Sequence, residues 1–573
     1  MKRPPGARLV ALFVVMVLAF GGITVRLGFL QLTDQRAYAA MGYQQRVHTL
    51  TLPAARGMIL DSSGVPLAMT VQARDVYVDP QLVTDPMGEA AALAPLLGLK
   101  FAKLLPVLTG TGSFVYLARQ VTPALGDKIL ALKLAGVGSI PVTARTYPAG
   151  PLASQVLGFV GVDGSGLTGL EREYQPLLAG AAGHETVELS PGGQSIPDGV
   201  HLVQAPVPGK TLVTTIDRQI QYQAQQYLRQ AVEQNQAKGG TIIVMDPKTG
   251  DIYAMASYPW FDPNNYAVAA AKHPGALANR AVTDSFEPGS VNKIITAAAA
   301  LEVRAVSLTE RFAVPWSQTI GTYTIHDSHV HPIEQMTIGD IIVQSSNIGA
   351  SMVGQRVGAP MLATYLARFG FGQPTGLGFP GEASGIVPGT PSWTDTSLAT
   401  ISYGQGISVT PLQMASVYAT IANGGTLVQP RLILGTKDAA GVFTPVPASP
   451  TRPVIRRSTA DALTQMLAMV VQDGTGVNAQ IPGYQVAGKT GTALIPDPAG
   501  GYYQGQYVAS FIGFLPASAP RVVVAAIIDR PTTVYGGVAA APLFQQVARY
   551  AIRRLGIATA PPVQYPPSAL TRP

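Results

Sequence analysis

Three short motifs, far apart in the chain, constrain its fold more than any other feature. They are Ser290-Val-Asn-Lys293, Ser345-Ser-Asn347 and Lys489-Thr-Gly-Thr492. Their hydroxyl, amide and ammonium groups are the kinds that activate a nucleophile or bind an anion. If the three motifs act together, the fold has to bring these distant segments to one place.

The first motif predicts a serine nucleophile beside a lysine base. Lys293 is the one lysine of the sequence with a serine three residues before it. Pro288-Gly289 precedes the motif and an apolar, alanine-rich run follows it, so a buried helix is expected to begin here. Residues three apart share a helix face, and burial lowers the pKa of a lysine so that it can accept the serine proton. Lys489 is expected to add charge repulsion as a second cation.

Each motif is a weak signal when taken alone, and the chain itself supplies counterexamples. Ser290-Val-Asn292 also has the Ser-x-Asn pattern, and Lys248-Thr-Gly250 also has the Lys-Thr-Gly pattern. The second lies between two β-like runs, 241–245 and 252–255, which predicts a hairpin with an exposed lysine at its turn. The order of the three motifs, rather than any one of them, favours a single site.

The amino-terminal segment predicts a membrane anchor. Residues 9–25 are uncharged and largely apolar, and the apolar character resumes after Arg26 as far as Leu32. Together the two stretches reach the roughly 20 residues that cross a bilayer. Three basic residues lie within 1–8, which predicts a cytoplasmic amino terminus and a catalytic part outside the membrane. The alternative is a cleaved signal peptide with Ala37-Tyr-Ala39 as its cleavage site.

Composition excludes several function classes. The sequence has no cysteine, which removes disulfides, metal-thiolate sites and thiol redox chemistry. The net charge of +7 comes with only 12% charged residues, and no basic patch interleaved with aromatic residues indicates nucleic acid as a partner. The mild positive charge suits an anionic envelope or lipid surface. A length of 573 residues predicts two or more domains beyond the anchor.

The motifs and several further segments resemble the class B penicillin-binding proteins, which are peptidoglycan D,D-transpeptidases. Residues 209–556 are similar to the transpeptidase domain of that family. The other matching segments are Arg56-Gly-Met-Ile-Leu-Asp-Ser-Ser-Gly-Val-Pro-Leu-Ala68, Arg145-Thr-Tyr-Pro148, Gly166-Leu-Thr-Gly-Leu-Glu171 and Tyr507-Val-Ala-Ser-Phe-Ile-Gly-Phe-Leu-Pro516. The chain departs from the family at Ser62-Ser63, where Arg-Asn is frequent, and at Val291, where threonine is frequent.

The resemblance implies an α+β fold in several parts. These are a single transmembrane helix, a β-rich pedestal, and a penicillin-binding, β-lactamase-like domain with an antiparallel sheet packed against helices. The implied boundaries are a cytoplasmic amino terminus at 1–8, an anchor at 9–32, a pedestal or dimerisation-like domain at 33–207, a transpeptidase domain at 208–558 and a proline-rich, disordered tail at 559–573. Within these parts the sequence predicts a helical stretch at 86–108 and a linker at 209–217.

For the acylation chemistry the resemblance assigns four catalytic residues. Ser290 is expected to attack the D-Ala-D-Ala bond of a stem peptide and form an acyl-enzyme, while Lys293 takes its proton. Ser345 relays a proton to the leaving amine. Asn347 bonds either the donor peptide or Lys293. A purely structural interpretation of Ser345-Ser-Asn347 is a helix cap, since serine and asparagine are frequent at the amino-terminal cap of helices.

For substrate binding the resemblance assigns the third motif. Lys489, Thr490 and Thr492 are expected to bind the terminal carboxylate of the stem peptide. Gly491 is expected to let the ligand lie against the strand. The backbone N–H groups of Ser290 and Thr492 are the implied oxyanion hole, which is usually the largest single catalytic contribution in acyl transfer.

The implied substrates are peptidoglycan stem peptides on strands derived from lipid II, with β-lactams as inhibitors. The segments 67–71, 78–80, 536–544 and 555–557 resemble the division-type branch, which implies septal synthesis beside a SEDS-type glycosyltransferase and other division proteins. No cofactor, metal or nucleic acid is expected.

Alternative functions share parts of this pattern. An elongation-type transpeptidase would use the same site, and a D,D-carboxypeptidase or β-lactamase would let water attack the acyl-enzyme. A non-catalytic envelope scaffold is the third alternative, although no motif residue is missing. The segment His326-Asp-Ser-His-Val-His331 has a composition that could bind zinc. In a strand, however, only His329 and His331 would easily share a face.

Overall fold

A computed structural model describes most of the chain. The described residues are 5–32, 35–188, 196, 201–321 and 323–564. Residues 1–4 of the predicted cytoplasmic segment and 565–573 of the predicted tail lie outside them. The chain divides into two compact units, one made of Met1–Ala55 and Gly180–Gly209 and the other of Arg56–Ala179 and Lys210–Pro573.

Helices and strands are numbered separately in chain order. Up to residue 208 they are α1 (Pro5–Leu32), α2 (Gln35–Arg46), β1 (Val47–Leu52), β2 (Ile59–Leu60), β3 (Pro66–Val78), α3 (Pro86–Leu97), α4 (Phe101–Leu108), β4 (Val115–Val121), α5 (Pro123–Ala131), β5 (Val137–Thr146), α6 (Ser154–Leu157), α7 (Gly169–Glu173), α8 (Gln175–Leu178), β6 (Gly183–Glu188) and β7 (His201–Gln204). Next come β8 (Thr211–Thr214), α9 (Arg218–Gln234), β9 (Gly239–Met245), β10 (Ile252–Tyr258), α10 (Tyr266–Lys272), α11 (Arg280–Thr283), α12 (Lys293–Glu302), β11 (Phe312–Val314), β12 (Ser317–Ile320), β13 (Tyr323–His326), β14 (Glu334–Met336), α13 (Ile338–Gln344), α14 (Asn347–Val357), α15 (Ala359–Arg368), α16 (Asp395–Ser402) and α17 (Pro411–Ala422). The last are β15 (Thr426–Val428), β16 (Ile433–Lys437), β17 (Phe443–Pro445), β18 (Thr451–Pro453), α18 (Arg457–Gln472), β19 (Ala487–Pro496), β20 (Tyr502–Leu515), β21 (Val522–Asp529), α19 (Gly536–Ala539) and α20 (Ala541–Leu555).

The first unit consists of two helices and a small antiparallel sheet in the order β1-β6-β7. Within α1, the segment Gly6–Gln31 is long and apolar enough to cross a membrane, and none of its most apolar stretch is buried inside the protein. An apolar helix that is not buried in the protein fits a lipid environment, because no protein core covers its side chains. The predicted helix at 9–32 is thus present as part of α1.

The second unit is organised around a five-stranded antiparallel sheet in the order β10-β9-β21-β20-β19. Both faces of this sheet are covered. In β9, Ile243 and Met245 belong to one core cluster, with α12 and α17. Ile242 and Val244 belong to another, with α9 and α20. Because successive strand residues point to opposite faces, a continuous apolar run indicates a strand buried on both sides.

A second, larger sheet has the order β17-β16-β8-β2-β3-β4, with β5 also paired to β3. It corrects the prediction of a linker at 209–217. Thr211–Thr214 forms β8, which runs parallel to β2 and antiparallel to β16. Leu212 and Val213 are buried, so this β-branched and apolar stretch pairs in the sheet interior rather than bridging domains.

The hairpin predicted around Lys248-Thr-Gly250 is confirmed, since β9 and β10 pair antiparallel and Lys248 is exposed.

The helical stretch predicted at 86–108 consists of two helices, α3 and α4, instead of one. Gly98 has φ +63° and ends α3, because a left-handed residue cannot continue a helix.

A buried ion network joins the segments that resembled the pedestal motifs. Glu171 has a fully buried side chain, and its two carboxylate oxygens accept hydrogen bonds from Arg56 Nε and Arg145 Nε, both at 2.7 Å. Arg56 Nη1 also donates to Gln175 Oε1 at 2.6 Å. Tyr147 OH donates to Glu171 at 3.3 Å. The matching motifs therefore meet in one charged cluster whose anion is Glu171.

Glu171→Gln is expected to destabilise the second unit by about 3–5 kcal/mol, because it leaves two buried guanidinium groups without their anion. Thermal unfolding followed by circular dichroism measures the effect as a lower midpoint. Glu173→Gln is the matched control, since Glu173 is exposed two residues away. Equal midpoints for the two variants would contradict a stabilising role of the network.

Candidate active site

The turn that carries Ser290 precedes a buried helix. Gly289–Asn292 forms a 3₁₀ turn, and α12 begins at Lys293. Gly289 has φ +56°, and a Cβ there would lie 3.0 Å from the carbonyl oxygen of Thr492. Glycine therefore allows both the turn and its close approach to β19. The predicted buried helix is confirmed from Lys293 onward, while Ser290 lies in the preceding turn.

Lys293 is 1% exposed and reaches the second motif. Its Nζ donates to Asn347 Oδ1 at 2.8 Å and lies 3.3 Å from Ser345 Oγ. It also donates to the carbonyl oxygen of Ser345. Ser290 Oγ makes no hydrogen bond within the described part of the chain, although the two residues are one turn apart. Contacts of a catalytic base frequently tighten only when substrate is bound.

The second motif lies between two helices. Ser345 ends α13 with φ +65°, a left-handed conformation that is uncommon for serine. Ser346 caps α14 by accepting from the N–H of Gly349 at 2.8 Å. The helix-cap interpretation of this motif thus applies to Ser346, whereas Ser345 and Asn347 contact the lysines.

The third motif lies on β19, one of the two edge strands of the five-stranded sheet. Lys489 is 1% exposed, and its Nζ is 2.8 Å from Ser345 Oγ. Thr490 Oγ1 is 2.7 Å from Thr475 Oγ1. Thr492 Oγ1 accepts from the N–H of Gly536 at 3.1 Å. The three motifs therefore meet, because the amines of Lys293 and Lys489 both reach Ser345 Oγ.

Gly491 also has a packing role in the fold, besides the ligand contact that was expected of it. A Cβ on Gly491 would lie 2.3 Å from Ser510 Oγ on the neighbouring strand. It would also lie 3.0 Å from Val291 Cγ1 and 3.2 Å from the carbonyl oxygen of Pro288. Glycine is required here because the turn that carries Ser290 packs directly on β19.

A cleft of about 650 Å³ opens above the lysines. Its walls include Ser290, Ser345, Asn347, Thr490, Thr492, Tyr323, His326, Tyr403, Gln405, Thr475, Asn478 and Tyr535. A cleft of this size can hold a short peptide or a small molecule. Ser290, Thr490 and Thr492 line one space, while both lysines are 1% exposed.

Burial sets the charge state of the two lysines. Loss of water lowers the pKa of Lys293 to about 7, and the negative charge of Asp327 opposes that shift. The pKa of Lys489 is lowered well below its ordinary value, first by burial and then by the positive charge of Lys293. Charge repulsion between the lysines was expected to lower the pKa of Lys293, but it lowers the pKa of Lys489 instead. A Lys293 amine with a pKa near neutrality is available as a proton acceptor.

Asp327 is a site residue that sequence reasoning missed. Its Oδ1 accepts from the backbone N–H groups of Asn347 at 2.5 Å and Ile348 at 3.0 Å. Its Oδ2 accepts from Ser346 Oγ at 2.6 Å and lies 3.2 Å from His331 Nε2. Two of these four partners are backbone N–H groups, which leave no side-chain pattern in the sequence. Among the described residues no group of three or more metal-binding side chains is assembled.

Glu287 was also missed, although it lies three residues before Ser290. Its carboxylate is buried and accepts from the N–H of Gly406 at 2.9 Å and from Tyr502 OH at 3.1 Å. Burial raises its pKa against the effect of these hydrogen bonds. Glu287 thereby ties the serine turn to the cleft wall beside Gln405 and to the first residue of β20.

Comparison with protein families identifies both parts of the chain. Residues 240–549 match the penicillin binding protein transpeptidase domain. Residues 51–214 match the penicillin-binding protein dimerisation domain. The combination of a dimerisation domain with a transpeptidase domain whose cleft carries all three motifs defines a penicillin-binding protein.

Known relatives extend along nearly the whole chain. Penicillin-binding protein PbpB of Mycobacterium tuberculosis is 37% identical, over 96% of this chain and 85% of its own. Peptidoglycan D,D-transpeptidase FtsI of Escherichia coli is 33% identical, over 95% of this chain and 91% of its own. The crystal structure of penicillin binding protein 3 from Mycobacterium tuberculosis complexed with aztreonam has a TM-score of 0.71 and 34% identity, covering 90% of this chain and 99% of that one. The chain belongs to the class B penicillin-binding proteins.

The depressed pKa of Lys293 predicts how stability depends on pH. Between about 7 and 10.5 the unfolded chain holds a proton on this lysine that the folded chain lacks, so stability rises with pH. Lys293→Met lacks this dependence and is expected to be more stable than the wild type at pH 7. The difference should shrink by roughly 1.4 kcal/mol per pH unit toward pH ~10.

Denaturant unfolding of both proteins at pH 7, 8, 9 and 10 measures this difference. Lys248→Met serves as the control, because Lys248 is exposed in the hairpin turn and its replacement should give a difference that does not change with pH. A constant difference for Lys293→Met across the range would show that the lysine is not desolvated.

Proposed function

We propose that the protein is a serine-type peptidoglycan D,D-transpeptidase, which cross-links stem peptides through an acyl-enzyme on Ser290. One observation carries the proposal. Ser290 lines a cleft beneath which two buried amines, Lys293 and Lys489, reach the same hydroxyl of Ser345. The names of the relatives support it, since the Escherichia coli protein is called a peptidoglycan D,D-transpeptidase.

In the first half-reaction Ser290 Oγ attacks the carbonyl carbon between the two D-alanines. Neutral Lys293 takes the hydroxyl proton, which its pKa near 7 permits at physiological pH. The N–H groups of Ser290 and Thr492 are proposed to stabilise the oxyanion of the tetrahedral intermediate. The C–N bond then breaks and leaves an ester on Ser290.

The departing D-alanine needs a proton on its amine. Ser345 is proposed to deliver it, and the support is that its hydroxyl lies 3.3 Å from Lys293 Nζ and 2.8 Å from Lys489 Nζ. The proton taken from Ser290 can therefore pass from Lys293 through Ser345 to the leaving amine. Asn347 holds Lys293 in place through its hydrogen bond at 2.8 Å.

The second half-reaction returns the site to its starting state. An amine of a neighbouring stem peptide attacks the ester carbonyl and gives up a proton to neutral Lys293. The C–O bond to Ser290 then breaks, and the proton returns to Ser290 Oγ. Because the ester conserves the energy of the broken amide, no ATP is needed. Water in place of the amine would make the enzyme a carboxypeptidase.

Substrate binding is proposed to use β19. Lys489, Thr490 and Thr492 offer an amine and two hydroxyls for the terminal carboxylate of the donor peptide. A carboxylate beside Lys489 would favour its charged form. As an edge strand, β19 can also pair with an extended peptide through its backbone.

β-Lactams are proposed to acylate Ser290 in the same manner. The crystal structure of a relative at 34% identity was determined with aztreonam, and another at 33% identity with ampicillin. A strained lactam amide replaces the peptide bond, and Lys489, Thr490 and Thr492 would bind the anionic group of the drug, which is a carboxylate in ampicillin and a sulfonate in aztreonam. The leaving amine stays attached, which blocks entry of the acceptor.

We infer the roles of the domains and their location relative to the membrane from the similarity to these relatives. Residues 1–8 are cytoplasmic, 9–32 span the membrane, 33–207 form the pedestal, 208–558 the transpeptidase domain, and 559–573 a tail. The relatives named FtsI favour the division-type branch. A SEDS-type glycosyltransferase and other division proteins are the proposed partners.

Ser290→Ala is expected to abolish covalent labelling by a fluorescent penicillin, because no other serine precedes a lysine by three residues. Intact-mass spectrometry should show a single adduct on the wild type and none on this variant. Ser345→Ala should still form the adduct, but at least about tenfold more slowly, since it loses proton relay rather than the nucleophile. Covalent labelling of the Ser290→Ala protein would contradict the assignment of Ser290 as the nucleophile.

Product analysis then separates transfer from hydrolysis. The wild type is incubated with a stem-peptide donor and a D-amino acid acceptor, and a transpeptidase should incorporate the acceptor. Release of D-alanine with a free carboxyl product alone would favour the hydrolase alternative. Absence of labelling and of both products would favour the scaffold.

The proposed orientation predicts the behaviour of terminal fusions. A reporter placed before residue 1 should be active only as a cytoplasmic protein, and one placed after residue 573 only outside the membrane. Alkaline phosphatase and a cytoplasmic fluorescent protein provide the two readouts. The reverse pattern, or a mature amino terminus near Ala40, would contradict an uncleaved anchor with its amino terminus inside.

A further inference from the structure

We propose that Asp327 and His331 form a charged pair that positions the Ser345–Asn347 loop against Lys293, and that loss of the His331 proton slows acylation. The two residues belong to the histidine-rich segment that the sequence presented as a possible metal site. This inference rests on the proposed function, because acylation of Ser290 is its readout. It assigns Asp327 and His331 as positioning residues, since neither touches the reacting atoms.

Asp327 fixes the start of α14. Its carboxylate accepts the N–H groups of Asn347 and Ile348 and the hydroxyl of Ser346, at 2.5, 3.0 and 2.6 Å. These are the first residues of the helix and its cap. A carboxylate at a helix amino terminus satisfies free N–H groups and interacts favourably with the helix dipole. The side chain of Asp327 is only 4% exposed, so water competes little for these bonds.

The loop that Asp327 fixes is the one that contacts the base. Asn347 Oδ1 accepts from Lys293 Nζ at 2.8 Å, and Asn347 Nδ2 donates to the carbonyl oxygen of His326 at 2.9 Å. Ser345 immediately precedes the cap residue Ser346. A shift of Asp327 would therefore move both Asn347 and Ser345 relative to Lys293.

His331 has contacts that require a doubly protonated ring. Its Nδ1 lies 2.7 Å from the carbonyl oxygen of Pro332, and its Nε2 lies 3.2 Å from Asp327 Oδ2. Both partners are hydrogen-bond acceptors, so both ring nitrogens have to donate. Only the imidazolium form can do this.

The surroundings of His331 hold this charge. Burial lowers the pKa of His331, but the hydrogen bonds to Pro332 and Asp327 and the negative charges of Asp327 and Glu334 outweigh it, so the pKa is raised above 6.5. Glu334 lies 4.0 Å from Nδ1. The exposed ring of His329 is 5.7 Å away between centroids. On the side of the active site, the charge that interacts with Asp327 is that of Lys293.

The direction of the pH effect follows from the raised pKa. The charged pair is complete below pH 6.5 and is lost as pH rises through the raised value. A neutral ring has one nitrogen without a proton, which then faces either Pro332 or Asp327 without a hydrogen bond. Lys293 meanwhile gains its basic form near pH 7, which acts on the rate in the opposite direction. The ratio of the wild-type acylation rate to that of a variant without the His331 titration should therefore fall as pH rises.

The rate constant of acylation by a fluorescent penicillin, measured from pH 5.5 to 9.5 on the full chain, tests the inference. The acylation rate of the wild type relative to that of His331→Gln, whose side chain does not titrate, is expected to fall roughly three- to tenfold from the low-pH to the high-pH end, the value of about one hydrogen bond. His329→Gln is the matched control and should follow the wild type.

A ratio of wild-type to His331→Gln acylation rates that stays constant across this pH range would overturn the inference, as would a ratio that rises with pH. Labelling of Ser290 in these proteins keeps the proposed function intact in either case. If the wild type shows no labelling at any pH, the proposed function itself fails.

Nuclear magnetic resonance of ¹⁵N-histidine protein in detergent gives a second, independent measurement. It determines the protonation state of His331 even if His331→Gln does not fold, because the His331 signal can be assigned by substituting the other histidines one at a time. His331 should show two protonated ring nitrogens at pH 6 and titrate above 6.5. A neutral ring at pH 6, or a titration midpoint at or below 6.5, would contradict the charged pair.

Discussion

The burial of two lysine amines around one serine hydroxyl is the constraint on which the rest of the site depends. Lys293 and Lys489 are each 1% exposed, and both reach Ser345 Oγ. Two buried ammonium groups so close together would repel each other and lack water, so the protein favours loss of a proton. The same desolvation that is unfavourable for stability would supply the base of the proposed mechanism.

The surrounding fold serves to maintain this arrangement. The helix α12 is apolar around Lys293 and buried over Lys293–Ala300, which keeps water from the amine. The edge strand β19 presents Lys489 from the opposite side, and the serine turn packs on it through Gly289 and Gly491. Asp327 holds the Ser345–Asn347 loop in place, while Glu287 holds the turn that carries Ser290. Each contact limits how far one motif can move from the others.

Much of this site could be predicted from the sequence, since residue type and order carry the chemistry of Ser290, Lys293 and Lys489. The residues that position them could not, because Asp327 and Glu287 act through backbone N–H groups of segments that are distant in sequence. Strand β8 was predicted as a linker for a similar reason. Its partners β2 and β16 come from far-apart segments, and a four-residue strand shows no periodicity by itself.

Direct titration of Lys293 tests the central claim that the fold keeps this amine largely neutral. The protein is labelled with ¹³C and ¹⁵N at lysine, and the Lys293 signal is identified by its loss in Lys293→Met. The account predicts a titration midpoint near 7, with the chemical shift of a neutral amine above it. A signal that stays that of a charged ammonium up to pH ~10, the ordinary range for lysine, would contradict it and remove Lys293 as the base.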